Sequence, residues 1–394
     1  MASKLIQLLS DEGHINLNIT DNILGNLGIA DIFALHATCR ALRWLHGQMT
    51  ESPYLLHVDT QLGHYFRDPS RFRYELGKCD GVICGGFVQN FLERNSPVNQ
   101  IMQIVLQEGP KSTQFIEYLL SSEEVGIDDT YAYDDGEVYF LHSTGDPFRD
   151  IWVETTPNPP VTEVINGALT TVDLSFMTWN KAYSLLPVAT VQKHKFYPLK
   201  PFDQVMGERL RLLARVGWTT RDLLWPDETR DYLPSGELHQ IGGPKTLIIK
   251  LANSPQGEFT PDFVVESGIF SITQDPARTC PGMIIGVEAS APSPALQYQH
   301  VGPGRTQESV CWMEFLHSKL NRWMFVEFTK SPFANWPPGF EPGLGPEGFS
   351  VPSSYHPPLE ESWTFADDQI GPWFAEWKRL HEETELSGHI MPIE

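Results

Sequence analysis

Gly81-Val82-Ile83-Cys84-Gly85-Gly86 joins a short apolar run to glycines, the pattern of a strand turning into a helix whose first N–H groups can face a phosphate. It has neither the GxGxxG spacing nor the Lys-Ser/Thr of a P-loop, so it reads as a tight turn. Asp128-Asp129 and Asp134-Asp135 are hard-cation ligands by type. They lack the Gly and terminal Glu of a calcium loop and read as a solvated acidic segment. The 13 histidines include no HExxH and no pair at i, i+4, and there is no GxSxG elbow, so neither a metalloprotease nor a serine hydrolase is indicated. Cys84 has no adjacent base to lower its pKa and reads as a small buried strand residue. Trp179, Tyr183 and Trp218 can stack a base or cage a ligand, but the spacing of the first two is helical and favours core packing.

These residues sit in a chain of 394 residues with 41% hydrophobic and 20% charged residues, enough for two or three domains with sizeable cores. The formal net charge of -22 opposes phosphate backbones and anionic lipid, which argues against general nucleic-acid or membrane binding. The charge is uneven: residues 117–163 hold 12 acids and one base, and residues 341–394 hold 11 acids and two bases. Residues 193–250 carry ten Lys or Arg against seven acids. Cys39, Cys79, Cys84, Cys280 and Cys311 form an odd set without a CxxC pair, which fits reduced thiols and no zinc site. The opening MASKLIQLLSDEGH has no long apolar core with a cleavage site, and no run of 18 apolar residues occurs, so a cytoplasmic or nuclear protein is expected.

The elements that must position these groups follow from periodicity. Ile19, Ile23, Leu24 and Leu27 form the apolar face of a short helix ended by Gly28, and Ile32, Leu35, Cys39, Leu42 and Leu45 form the stripe of a second beginning near Asp31. Strands are expected at Val82–Cys84, Ile101–Leu106, Val138–His142, Ile151–Glu154, Thr246–Leu251, Phe263–Glu266, Met283–Val287 and Met324–Phe328. Helices are expected at Phe87–Arg94, Pro110–Glu124, Asp203–Val216 and Pro372–Glu385. Residues 332–358, with eight prolines and four glycines, read as a long loop, after which Trp373 and Trp377 at i, i+4 can dock the last helix.

Three stretches carry a resemblance. LNITDNILGNLGIADIFALHATCRALRWL, residues 17–45, resembles an F-box, with Leu17-Asn18 where that box has Leu-Pro. Residues 67–94, and the block Trp179 to Pro187 with the later Gly217-Trp218 and Leu224-Trp225-Pro226, resemble a large group of filamentous-fungal proteins of unassigned function, whose core is similar to a nucleotidyltransferase fold. The F-box resemblance implies docking on the Skp-type adaptor of a cullin-RING ubiquitin ligase, through Ile19, Ile23, Leu24, Leu27, Ile32 and Leu35. The nucleotidyltransferase resemblance implies a strand carrying two alternating Asp residues that hold Mg²⁺ against a triphosphate. The matching strand here is Gln100-Ile101-Met102-Gln103-Ile104-Val105-Leu106, with no acid between Glu93 and Glu108, and Gly86 replaces the Ser that follows the first Gly. Asp173 is left as an orphan third carboxylate.

The expected architecture is therefore α+β: an F-box-like helical hairpin over residues 1–50, a degenerate nucleotidyltransferase-like body over 51–250, a strand-containing extension over 251–331, a Pro/Gly-rich loop over 332–358 and an acidic tail with a terminal helix over 359–394. The expected function is non-enzymatic, a protein-interaction module serving as a ubiquitin-ligase substrate adaptor, with no cofactor or metal. The alternative is a pseudoenzyme whose nucleotide cleft, without metal, is formed by Gly85, Gly86, Gln100, Gln103 and Lys181, with Lys193 or Lys195 as further cations.

Overall fold

The computed structural model of the chain describes residues 2–11, 14–38, 40–45, 56–94, 101–133, 136–143, 150–220, 237–275, 282–346, 349, 351, 355 and 361–387. The chain is a mixture of helices and mixed sheet, as an α+β protein should be, and it divides into two units. Unit 1 comprises Met1–Pro234, Pro244–Thr260 and Gln274–Met283; unit 2 comprises Ser235–Gly243, Pro261–Thr273 and Ile284–Glu394. The units are thus interleaved in sequence. Charge and Pro/Gly content report solvent exposure and chain stiffness, whereas unit membership is set by which segments pair across long separations.

Unit 1 begins with helices α1 (Ala2–Leu9), α2 (Leu17–Gly25) and α3 (Ile29–Thr38). Leu24, Ile29, Ile32, Leu42 and Leu45 lie in the same buried cluster as Phe66, Phe91 and Leu92, so residues 1–50 share one core with the body. Helix α4 (Val58–Leu62) leads to α5 (Pro69–Lys78), where Asp68 accepts the Arg71 N–H at 2.9 Å and Pro69 occupies the first turn. Strand β1 (Val82–Cys84) passes through Gly85 into helix α6 (Gly86–Glu93), and β2 (Met102–Gln107) leads into α7 (Pro110–Ser122). A long hairpin of β3 (Val125–Tyr133) and β4 (Gly136–Ser143) follows, then β5 (Asp150–Thr156) and α8 (Pro160–Gly167). Strands β6 (Ser175–Met177) and β7 (Lys181–Ser184) form a tight hairpin, and α9 spans Gln204–Arg215.

Farther along the chain are β8 (Leu238–Gln240) and β9 (Leu247–Lys250). The main sheet has eight strands in the order β9-β7-β6-β1-β2-β5-β4-β3. Within it β2 and β5 run parallel, and the pairs on either side are antiparallel. The alternation expected of a half-buried strand is clear on β2 and β5: Met102, Ile104, Leu106, Ile151 and Val153 face the core, and Gln103, Trp152 and Glu154 face the other way.

Arg94, in left-handed backbone at the end of α6, ties the hairpin to the body. Its guanidinium donates to the Leu24 and Leu27 carbonyls at 2.7 and 2.6 Å, at and just beyond the end of α2 where helical carbonyls lack a full set of intrahelical partners. Arg94→Ala is expected to cost about 1–2 kcal/mol of unfolding free energy by urea titration, as two buried acceptors lose a charged donor. A change within error would show that water replaces it.

Unit 2 holds a four-stranded sheet in the order β8-β10-β11-β12, with β10 at Ile269–Asp275, β11 at Gly282–Ala289 and β12 at Val301–Pro303. Short helix α10 covers Asp262–Glu266, α11 runs from Gln307 to Lys330, and α12 from Ile370 to Ser387. Two expected strands are helical. Phe263–Glu266 lies in α10 and Met324–Phe328 in α11, because an apolar run that short does not distinguish a buried strand from a buried helix. Thr306 and Ser309 cap α11 reciprocally.

The terminal helix docks on α11: Trp377 meets Trp312 at 5.7 Å and Lys319 binds Glu376 at 2.8 Å. The Pro/Gly-rich loop contributes Trp336, Phe340, Phe349 and Tyr355 to the aromatic core around Phe328. No helix among the described residues is long and apolar enough to cross a membrane.

Candidate functional site

The site is built where β1 turns into α6. Gly85 has φ 71° and ψ -147°, and a Cβ there would stand 2.2 Å from Gln103 Oε1. This backbone region is open essentially to glycine alone. Gly85→Ala is expected to lose about 2 kcal/mol of stability by urea unfolding and to push the Gln103 side chain aside. Wild-type stability in that variant would refute the steric account.

Cys84 pairs with Gln103 across β1 and β2, Gln103 with Trp152 and Val105 with Glu154 across β2 and β5, and Trp152 with Phe140 across β5 and β4. These residues line one side of a cleft of about 690 Å³. Glu163 of α8, Asp173 from the short turn before β6, and Arg209 of α9 line it as well. All belong to unit 1.

The carboxylates differ in their surroundings. Asp173 is fully engaged: it pairs with Arg209, accepts from Gln89 Nε2 at 3.1 Å, and accepts from Thr170 N–H and hydroxyl at 2.8 and 2.9 Å. Glu154 has its carboxyl raised above the ordinary range by burial and by the nearby charge of Glu163. The Cys84 thiol is pushed up to about 12, chiefly by burial and further by Glu154 and Asp173, which favours its protonated form.

The residues of β2, and Asp173, offer a divalent ion no free carboxylate. Gln103 offers an amide packed against the Gly85 turn, Met102 and Ile104 point into the core, and Asp173 is committed to Arg209. Among the described residues no group of three or more His, Cys, Asp or Glu is placed to hold a metal.

No family model, curated protein or solved structure matches the chain.

Of the residues expected at a nucleotide cleft, Gly85, Gly86 and Gln103 line this one, and Gln100 lies outside the described residues. Lys181 does not line it: it sits on β7 opposite Lys250 of β9, on the far side of β1 from the cleft strands β2 and β5. Lys193 and Lys195 do not line it either. Trp179, Tyr183 and Trp218 form no cage. Trp179 packs on Phe259, Tyr183 stacks on Phe176 and Trp218 meets His194, because residues 179–183 form a strand hairpin instead of a helix. Of the acidic pairs, Asp128 and Asp129 lie on β3, and Asp134 and Asp135 are outside the described residues.

The residues expected to meet an adaptor separate by burial. Leu24 and Ile32 are 0% and 1% exposed and are removed from a contact surface, since core side chains cannot touch a partner while the hairpin stays folded on the body. Ile23, Leu27 and Leu35 are half-buried against the same core, and Ile19 is 40% exposed.

The sequence reading missed Trp152, Glu154, Glu163 and Arg209. The only local signal was the alternation Ile151-Trp152-Val153-Glu154, which places Trp152 and Glu154 on the face opposite the core.

Unit 2 contains a Ser-His-Asp chain: Ser267 Oγ lies 3.0 Å from His300 Nδ1, and His300 Nε2 lies 2.9 Å from Asp367. All three are buried, at 3%, 3% and 4% exposure. The buried chain of hydrogen bonds ties the segment after α10 to the β11–β12 connection and to the segment leading into α12.

Proposed function

We propose that this protein is a non-enzymatic ligand-binding protein, a pseudoenzyme whose body is similar to a nucleotidyltransferase and whose cleft holds a small molecule without metal. The observation that supports this reading is the cleft of about 690 Å³ beside the Gly85-Gly86 turn, within the size range of ligand pockets and walled by Trp152 and Phe140. The carboxylates needed for two-ion transfer are replaced on β2 by Gln103 and apolar residues. Such a site binds and orients, and its thiol, raised by burial, is held in the protonated form.

The test is thermal melting of the full chain against ATP, GTP and a set of small organic anions, cations and neutral compounds. A ligand at a hundredfold excess over its Kd should stabilise by about 2.7 kcal/mol, and Val138→Trp, which fills the cleft, should abolish the shift. Unchanged melting across the whole set counts against the reading.

A second reading, docking on a Skp-type adaptor of a cullin-RING ubiquitin ligase, is favoured by one observation, the exposure of Ile19 beside half-buried Ile23, Leu27 and Leu35. Pull-down of the adaptor by the intact chain, lost in Ile19→Asp, would support it. Absence of binding by the wild type would end it.

A further inference from the structure

The cleft wall sets an aromatic surface next to carboxylates that have no counter-charge among the described residues. Trp152 and Glu154 are two residues apart on β5 and so share one face of the pleat, roughly 7 Å apart along the strand. Phe140 stands across from Trp152 with ring centroids 5.0 Å apart, and Tyr133 lines the same cleft. Glu163 comes near enough for its charge to be felt by Glu154. Among the described residues no cation pairs with Glu154 or Glu163 and no donor hydrogen-bonds to either carboxylate, while Arg209, the one guanidinium in the cleft, is held by Asp173.

Two neighbouring carboxylates drawn partly out of water raise the free energy of the empty cleft, and a bound positive charge relieves that cost. A triphosphate would add negative charge to the same wall. A hard metal ion would need further oxygen ligands where the wall offers rings, and no three-residue ligand group is present among the described residues. An ammonium on an alkyl chain meets both chemistries: its charge satisfies the carboxylates and its methylene groups, or a second ammonium, lie against the ring faces.

We propose that the cleft binds a small organic cation, an alkylammonium of the polyamine type, with its ammonium on Glu154 and Glu163 and its chain against Trp152 and Phe140. This rests on the reading of the cleft as a ligand site and names the class of ligand.

Calorimetric titration of the full chain with spermidine at fixed ionic strength tests it, with ATP as a second titrant and with two variants: Glu154→Gln, which keeps the shape without the charge, and Trp152→Leu, which keeps an apolar side chain without the ring. Folding of each variant is checked by circular dichroism. The expected result is saturable binding at one site, weaker by about tenfold or more in Glu154→Gln and reduced in Trp152→Leu, as one charged partner and one ring face are lost. Equal binding by wild type and both variants would mean diffuse attraction to a chain of charge -22 and would overturn the proposal. Binding of ATP without spermidine would overturn the cation assignment and leave the ligand site standing. Binding of neither, together with an unresponsive melting set, would remove both.

Discussion

Arg73→Met is expected to destabilise the protein by about 3–5 kcal/mol, the cost of leaving a buried ionic and polar network without its cation. Arg73 is 1% exposed on α5. Its guanidinium donates to Asp59 Oδ1 at 2.9 Å, to the Trp179 carbonyl at 2.8 Å, to the Ala252 carbonyl at 2.9 Å and to Ser254 Oγ at 3.2 Å. One side chain thus joins α4, α5, the β6–β7 hairpin and the segment after β9, and it supplies donors to two main-chain carbonyls. The planar fork suits this task better than a point charge. Arg73→Lys should recover only part of the loss, because an ammonium cannot reach all four acceptors in their separate directions. Urea unfolding would show the effect as a fall in midpoint with unchanged slope. A loss under about 1 kcal/mol in Arg73→Met would mean that the network contributes geometry and little stability.

Asp367→Ala is expected to cost about 3–5 kcal/mol near neutral pH, since it strips a buried carboxylate from its donors. Asp367 accepts from His300 Nε2 at 2.9 Å and from the backbone N–H groups of Gln297 and Tyr298 at 2.9 and 3.0 Å. Burial alone would raise its carboxyl, but these donors outweigh burial, and the group lies below the ordinary Asp range. An acid whose folded pKa is depressed stabilises above its unfolded pKa of about 3.9 and loses that contribution as pH falls through the folded value. The gap between wild type and Asp367→Asn should therefore be constant from neutral pH to about pH 5 and should narrow below about pH 4. Urea curves at successive pH values would show it. A gap that does not change down to pH 3 would mean that the carboxylate's charge is not what holds the β11–α12 region together.

Local chemistry made several elements of this protein legible before any tertiary contact was considered. The run Val82-Ile83-Cys84 with Gly85-Gly86 implies strand, tight turn and helix, and that is how β1, Gly85 and α6 are arranged. Caps and apolar spacing located α7, α9 and α12 within a few residues, since a 3.6-residue period and a terminating Gly or Pro are properties of neighbouring residues. The absence of acids between Glu93 and Glu108 is likewise visible in the sequence, and with it the lack of a two-carboxylate strand on β2.

What depends on distant partners was not legible. The stripe Leu24 and Ile32 looks the same whether it awaits another protein or packs on its own body, and only the fold put it inside the core. Trp179 and Tyr183 carry a helical spacing, yet pairing with β6 makes that segment a strand. The cleft is assembled from β1, β2, β4, β5, α8 and α9, so Trp152, Glu154, Glu163 and Arg209 meet across separations that no local pattern encodes. Sequence alone determined the periodic elements and the lack of acids on β2, because those are short-range facts. Only the tertiary structure decided which apolar faces are used up and which polar groups converge, because burial and proximity are set by the packing of the whole chain.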